Sequence, residues 1–122
     1  FSLSGCGATN TAALGFGGYA PGVSALTETW NGTNWTEVND LNTARYGLAA
    51  AGTSTSALAF GGNPPGSGLA ITELWNGTNW TEVNDLNTAR DFLAGAGTGN
   101  TSALAFGGEN LGMELTGQKL EI

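Results

Sequence analysis

Trp30–Arg45 reads WNGTNWTEVNDLNTAR, and Trp75–Arg90 reads the same sixteen residues again, 45 positions later. Working outward, a second motif accompanies each copy. Thr55–Gly62 reads TSALAFGG, and Thr101–Gly108 repeats it after 46 residues. Thr11–Gly18 (TAALGFGG) is a third copy, matching at six of eight positions. A period near 45 residues marks a tandem array in which each unit buries its faces on its neighbours.

Each unit divides into four strand-like runs. In the middle unit these are Tyr46–Gly52 (YGLAAAG), Ser56–Phe60 (SALAF), Leu69–Trp75 (LAITELW) and Trp80–Val83 (WTEV), separated by Gly, Asn, Ser and Pro clusters. No window carries a 3.6-residue stripe, and 21 glycines in 122 residues disfavour helices. The unit therefore reads as four short antiparallel strands. Asn31-Gly32 and Asn76-Gly77 predict tight hairpin turns between the third and fourth strands. Trp30 with Trp35, and Trp75 with Trp80, flank those turns and are placed to pair across the hairpin.

Alternation puts Ile71, Glu73 and Trp75 on one face of the third strand and Ala70, Thr72 and Leu74 on the other. In the second strand, Leu58 and Phe60 oppose Ala57 and Ala59. Both faces are apolar, one large and one small, as suits a sheet held between two neighbouring sheets. Four-stranded sheets stacked face to face around an axis form a β-propeller. The predicted fold class is all-β.

These units resemble kelch repeats. A Gly-Gly doublet ends the second strand, an aromatic ends the third, a Trp opens the fourth, and an Arg precedes the next unit. Those residues are Gly17, Gly18, Trp30, Trp35 and Arg45, then Gly61, Gly62, Trp75, Trp80 and Arg90, with Gly107 and Gly108 in the last unit. The resemblance implies kelch-like propeller blades and a structural role for each of these residues. The wording of the repeat (NGTNWTEV, LNTAR, ALAFGG) is also similar to kelch-like repeats in predicted tail or fibre proteins of marine bacteriophages.

The expected blades are 1–44, 45–89 and 90–122. The last is degenerate and terminal: Glu114-Leu115 is matched to Glu73-Leu74 and Leu120–Ile122 to the fourth strand, with both Trp positions lost. Propellers typically have about four to eight blades, so three leave two apolar faces open. The expectation is self-association, or further blades, to close a ring. The first residue is Phe1 rather than Met, which reads as processing or as an excerpt of something longer.

Composition narrows the chemistry. Ten acidic and three basic residues give a net charge of −7, which argues against a nucleic-acid partner. There is no His and one cysteine, Cys6, so no His-dependent triad, no intrachain disulfide and no Cys/His metal site is expected. No run approaches the ~20 apolar residues of a membrane helix, and no membrane insertion is expected.

Glu28, Glu37, Asp40, Glu73, Glu82 and Asp85 recur in each repeat. A glycosidase works with one carboxylate pair, whereas these occur twice, so they read as solvated rim charges. Asn39-Asp40 and Asn84-Asp85 offer oxygens for Ca²⁺ but match no calcium-loop spacing, and read instead as Asx turns joining one unit to the next. Arg45 and Arg90 read as structural arginines with Glu28 and Glu73 as their first candidate partners, since carboxylates on the Trp face need a partner. Trp30, Trp35, Trp75 and Trp80 are weighed as sugar-stacking residues against a packing role. Asn31, Asn34, Asn76, Asn79 and Asn100 satisfy the glycosylation sequon, read here as incidental. Cys6 reads as a small buried filler.

The expected function is non-enzymatic, with no catalytic residue, metal or cofactor: a structural or adhesion module on a virion tail or another extracellular appendage. Its partner would be a cell-surface glycan or protein receptor. The alternative is a carbohydrate-binding, lectin-type propeller.

Overall fold

A computed structural model describes residues 2–64, 68–110 and 113–114. Among the described residues every regular element is a strand. β1 (Ser4–Thr9), β2 (Ala12–Phe16), β3 (Thr27–Trp30) and β4 (Trp35–Val38) form one four-stranded antiparallel sheet in that order. β5 (Ala49–Gly52), β6 (Ala57–Phe60), β7 (Thr72–Trp75) and β8 (Trp80–Val83) form a second of the same topology. β9 (Ala94–Gly99) pairs with β10 (Ser102–Phe106), and β11 (Glu109–Asn110) with β12 (Met113–Glu114). The proposed match of Leu115 and Leu120–Ile122 to outer strands falls outside the described residues. Glu114 lies in β12, opposite Glu109 of β11.

The first strands of the three sheets adjoin one another, β1 beside β5 and β5 beside β9, so they are the inner strands of the stack. Their sequences, SGCGAT, AAAG and AGAGTG, are small for a steric reason. A Cβ on Gly95 would lie 2.6 Å from the carbonyl oxygen of Ala50 on the neighbouring inner strand.

The middle sheet has two packed faces. Leu58 and Phe60 pack with Leu93, Ala103 and Ala105 of the third sheet. Ala57, Ala59, Trp75 and Trp80 pack with Leu14, Phe16 and Leu41 of the first. Large side chains of one sheet thus fill the space above small side chains of the next, and the Phe16 and Trp80 rings meet edge to face at 4.9 Å.

The hairpins pair Trp30 with Trp35 and Trp75 with Trp80 across the strands, with ring centroids 5.4 and 5.2 Å apart. Their turns are the four-residue loops that these tryptophans bracket. Gly32 and Gly77 alone take a positive φ (97° each), and the loop spans four residues. Asn31 Oδ1 accepts from the backbone N–H groups of Thr33 and Asn34, as Asn76 Oδ1 does from Thr78 and Asn79. The asparagine acts as an Asx cap, and the glycine supplies the left-handed residue.

Candidate functional site

The segment Leu41–Arg45 leaves the first sheet and enters the second, and its route explains the fate of the paired residues. The backbone N–H groups of Leu41 and Arg45 donate to Ala25 and Ser24 of the first unit. The Arg45 side chain turns the other way and donates to Glu73 on β7 at 2.5 Å, both groups being fully buried. Glu73 also accepts from the backbone N–H of Asn42 (2.6 Å) and of Thr43 (3.4 Å). Arg45 donates further to the carbonyls of Thr43 and Ala59. Burial pushes the guanidinium below its ordinary range, and the Glu73 and Glu82 charges oppose that shift. One buried carboxylate therefore latches the linker to the next sheet.

Arg90 is also buried, but it donates to the Gly107 carbonyl at 2.9 Å. Among the described residues it has no carboxylate partner. Glu28 departs from expectation. It is exposed, lies opposite Glu37 across β3 and β4, and has no arginine partner among the described residues. The neighbour makes the difference: Glu73 is enclosed by the linker residues Asn42, Thr43 and Arg45, and among the described residues no such segment covers Glu28.

The remaining repeated residues join sheets or form turns. Trp80 Nε1 donates to Thr27 Oγ1 of the first sheet at 3.0 Å. Trp30 and Trp75 each donate to a backbone carbonyl within their own sheet, that of Asn10 and that of Ser54. Trp75 and Trp80 are buried, so a sugar has no access to either ring, whereas Trp35 is 52% exposed. Asn39 is not an Asx turn. Its Nδ2 reaches across to the hairpin loop of the next sheet, donating to Thr78 O at 2.8 Å and Asn79 Oδ1 at 2.7 Å. Asn100 likewise donates to Trp75 O. Glu37, Asp40, Glu82 and Asp85 are exposed.

All six doublet glycines have positive φ: Gly17 (72°), Gly18 (109°), Gly61 (67°), Gly62 (102°), Gly107 (76°) and Gly108 (80°). A Cβ on Gly61 would stand 2.6 Å from the Arg90 carbonyl oxygen, so here glycine answers both a backbone conformation and a close approach.

Cys6 is half-buried, donates to the Thr53 carbonyl, and burial pushes its thiol up to about 11. Such a thiol is a poor nucleophile at neutral pH. Among the described residues no three His, Cys, Asp or Glu side chains converge as a metal site.

A concavity that sequence reasoning missed lies at the entry to the inner strands. Ser2, Gly47 and Phe92 occupy equivalent places, each left-handed (φ 59°, 65° and 50°), and each is followed by a leucine. These three with Leu3, Leu48 and Leu93 line a hollow of about 260 Å³. A row of aromatics adjoins it: Tyr19 meets Tyr46 at 5.4 Å and Tyr46 meets Phe92 at 6.0 Å, both edge to face. Beside them Asn63 donates to the buried Asp91 carboxylate at 2.8 Å and to Tyr46 Oη at 3.4 Å, while its Oδ1 is buried with no hydrogen-bond partner among the described residues. The three equivalent side chains differ, so only the shared backbone conformation reveals the correspondence.

No family model matches the chain, and no curated protein matches it. Among solved structures the fold is similar to that of YjhT, with a TM-score of 0.78 and 15% sequence identity over 96% of this chain. The chain spans about two-fifths of the length of that structure, 41%.

Proposed function

We propose that the chain is a non-enzymatic structural or adhesion module built of kelch-like propeller blades, carried on a virion tail or fibre or another extracellular appendage. The observation that supports this reading is the commitment of the repeated polar side chains to joining one sheet to the next. Glu73 holds Arg45, Asn39 holds the loop at Asn79, and Trp80 holds Thr27. What the stack then offers outward is rigid and repetitive: two identical Asn-Gly-Thr-Asn loops on exposed hairpin tips. The test is gold-labelled antibody against the chain, viewed on the native particle by electron microscopy. Decoration of a tail or surface appendage is expected, and labelling confined to the cell interior would refute the role.

A lectin-type propeller is the second reading. The observation favouring it is the aromatic row beside Asp91 and Asn63 at the mouth of the inner strands, where a concave surface meets a few polar groups. A glycan array separates the two readings. Binding that Phe92→Ala abolishes would select the lectin, and a blank array the structural module.

A further inference from the structure

Asn31-Gly32 and Asn76-Gly77 are the two places in the sequence where glycine follows asparagine. Asn76 and Gly77 are exposed, at the tip of the hairpin that joins β7 to β8. The Asn76 Oδ1 accepts from the backbone N–H groups of Thr78 at 2.9 Å and Asn79 at 2.8 Å, so the amide is folded back on the loop's own main chain. Among the described residues the Gly77 N–H makes no hydrogen bond, and neither does the Asn76 Nδ2. Other asparagines stand differently. Asn39, Asn42, Asn63 and Asn100 each donate through Nδ2 to a neighbour, and the residue after each of them carries a side chain.

We propose that Asn76, with Asn31 in the equivalent loop, is a site of spontaneous deamidation in the folded protein, the following glycine nitrogen displacing the side-chain amide. Hydroxide takes the Gly77 amide proton, and the nitrogen attacks Asn76 Cγ to form a new C–N bond. Glycine suits this step because it places no Cβ beside the attacking atom. Negative charge develops on Oδ1, the atom that already faces two N–H donors, and donors aimed at such an oxygen stabilise the tetrahedral intermediate. The intermediate collapses by breaking the Cγ–Nδ2 bond, water supplies the proton, and ammonia leaves. The product is a five-membered succinimide, which water opens at either carbonyl. Opening at Cγ gives aspartate. Opening at the main-chain carbonyl gives isoaspartate, with the chain rerouted through Cγ. Hydroxide and water are the co-reactants, and nothing is oxidised or reduced.

Both products add a negative charge in each loop to the net −7. Their structural effects are opposite. Aspartate keeps an oxygen before the two donors, and a charged acceptor strengthens such bonds. Isoaspartate lengthens the main chain of a loop whose ends are set by the Trp75 and Trp80 pairing. Thr78 O and Asn79 Oδ1 in that loop hold Asn39, next to β4, so the longer loop loosens a joint between sheets. The proposal does not depend on the adhesion role.

The experiment incubates the full chain at neutral and at mildly alkaline pH, beside a sample unfolded in urea, and follows every asparagine by peptide mapping. Cleavage after Arg45 and Arg90 puts the two loops in different peptides. Isoaspartate is identified by its backbone fragments and by isoaspartyl methyltransferase labelling. Conversion is expected at Asn31 and Asn76 ahead of every other asparagine, faster at the higher pH, with isoaspartate among the products. At Asn76 it is expected to be no slower in the folded chain than in the unfolded one. Gly77→Asn retains a residue that tolerates the positive φ of this position (97°). It is expected to slow conversion at position 76 at least about tenfold, as a displaced nucleophile does, and to leave position 31 at the wild-type rate. Circular dichroism checks that the variant keeps the β signature. Should it unfold, the comparison of folded with unfolded wild type decides alone. An amide that stays intact at Asn76 in the folded chain while the unfolded chain converts would overturn the proposal. So would equal conversion at asparagines not followed by glycine, a rate indifferent to pH, aspartate as the sole product, or a folded Gly77→Asn variant that converts at the wild-type rate.

Discussion

Glu28 and Glu73 occupy the same place in two hairpins that share most of their sequence, yet their surroundings are opposite. Glu73 is enclosed with three donors, and Glu28 faces water and Glu37. Breaking one side of a buried ion pair leaves the other charge unsolvated. Arg45→Met is therefore expected to lower the unfolding free energy by about 3–5 kcal/mol, measured in urea. Glu28→Gln should stay within about 0.5 kcal/mol of wild type. That a carboxylate on the Trp face needs a cation was legible in the sequence. Which arginine serves Glu73 was not legible there, because Arg45 reaches it from the linker 28 residues earlier in the chain. Cys6 offers a second residue-scale outcome. Its folded pKa of about 11 lies above the usual thiol value of about 8.5, so the folded state holds the proton more tightly. The resulting stabilisation is complete below pH 8.5 and is lost as the pH rises towards 11. A Cys6→Ala variant should lack that fall when stability is followed across this alkaline range.

The strands and turns show what repetition makes readable. Trp80–Val83 is a strand with the bounds that the sequence implied, because an aromatic and β-branched run sits between two polar clusters. The neighbouring run Leu69–Trp75 narrows to Thr72–Trp75 as a ladder strand. Leu69 instead bridges to Arg90, bringing the linker of the next unit against it. Such a contact between distant segments leaves no periodic trace in either one. Within the doublets, two glycines separate conformation from crowding. Gly107 has a positive φ but open space where a Cβ would go, while Gly61 would press on the Arg90 carbonyl. Gly107→Ala is expected to cost about 1–2 kcal/mol for the left-handed backbone alone. Gly61→Ala should cost more, because main chain must also shift. Parallel thermal denaturation of the two variants checks the order.

At the scale of the molecule, both faces of the middle sheet are packed, as alternation implied, but neither is uniformly large or small: the register sets Ala57 and Ala59 beside Trp75 and Trp80, and Leu58 and Phe60 beside Thr72 and Leu74. The hollow at Ser2, Gly47 and Phe92 was not legible, because a backbone conformation shared by three unlike side chains has no sequence signature. The identity of the two sixteen-residue segments has a kinetic consequence. During refolding, β2 meets two outer hairpins that present the same backbone donors, the same Trp pair and the same turn. Capture of the hairpin Thr72–Val83 in place of Thr27–Val38 would offer β2 the same backbone ladder while looping out an entire unit. Only the later contacts between sheets, such as Trp80 with Thr27, distinguish the error. The landscape thus holds a register trap one repeat deep, and recovery requires the wrong hairpin to detach before the right one can bind.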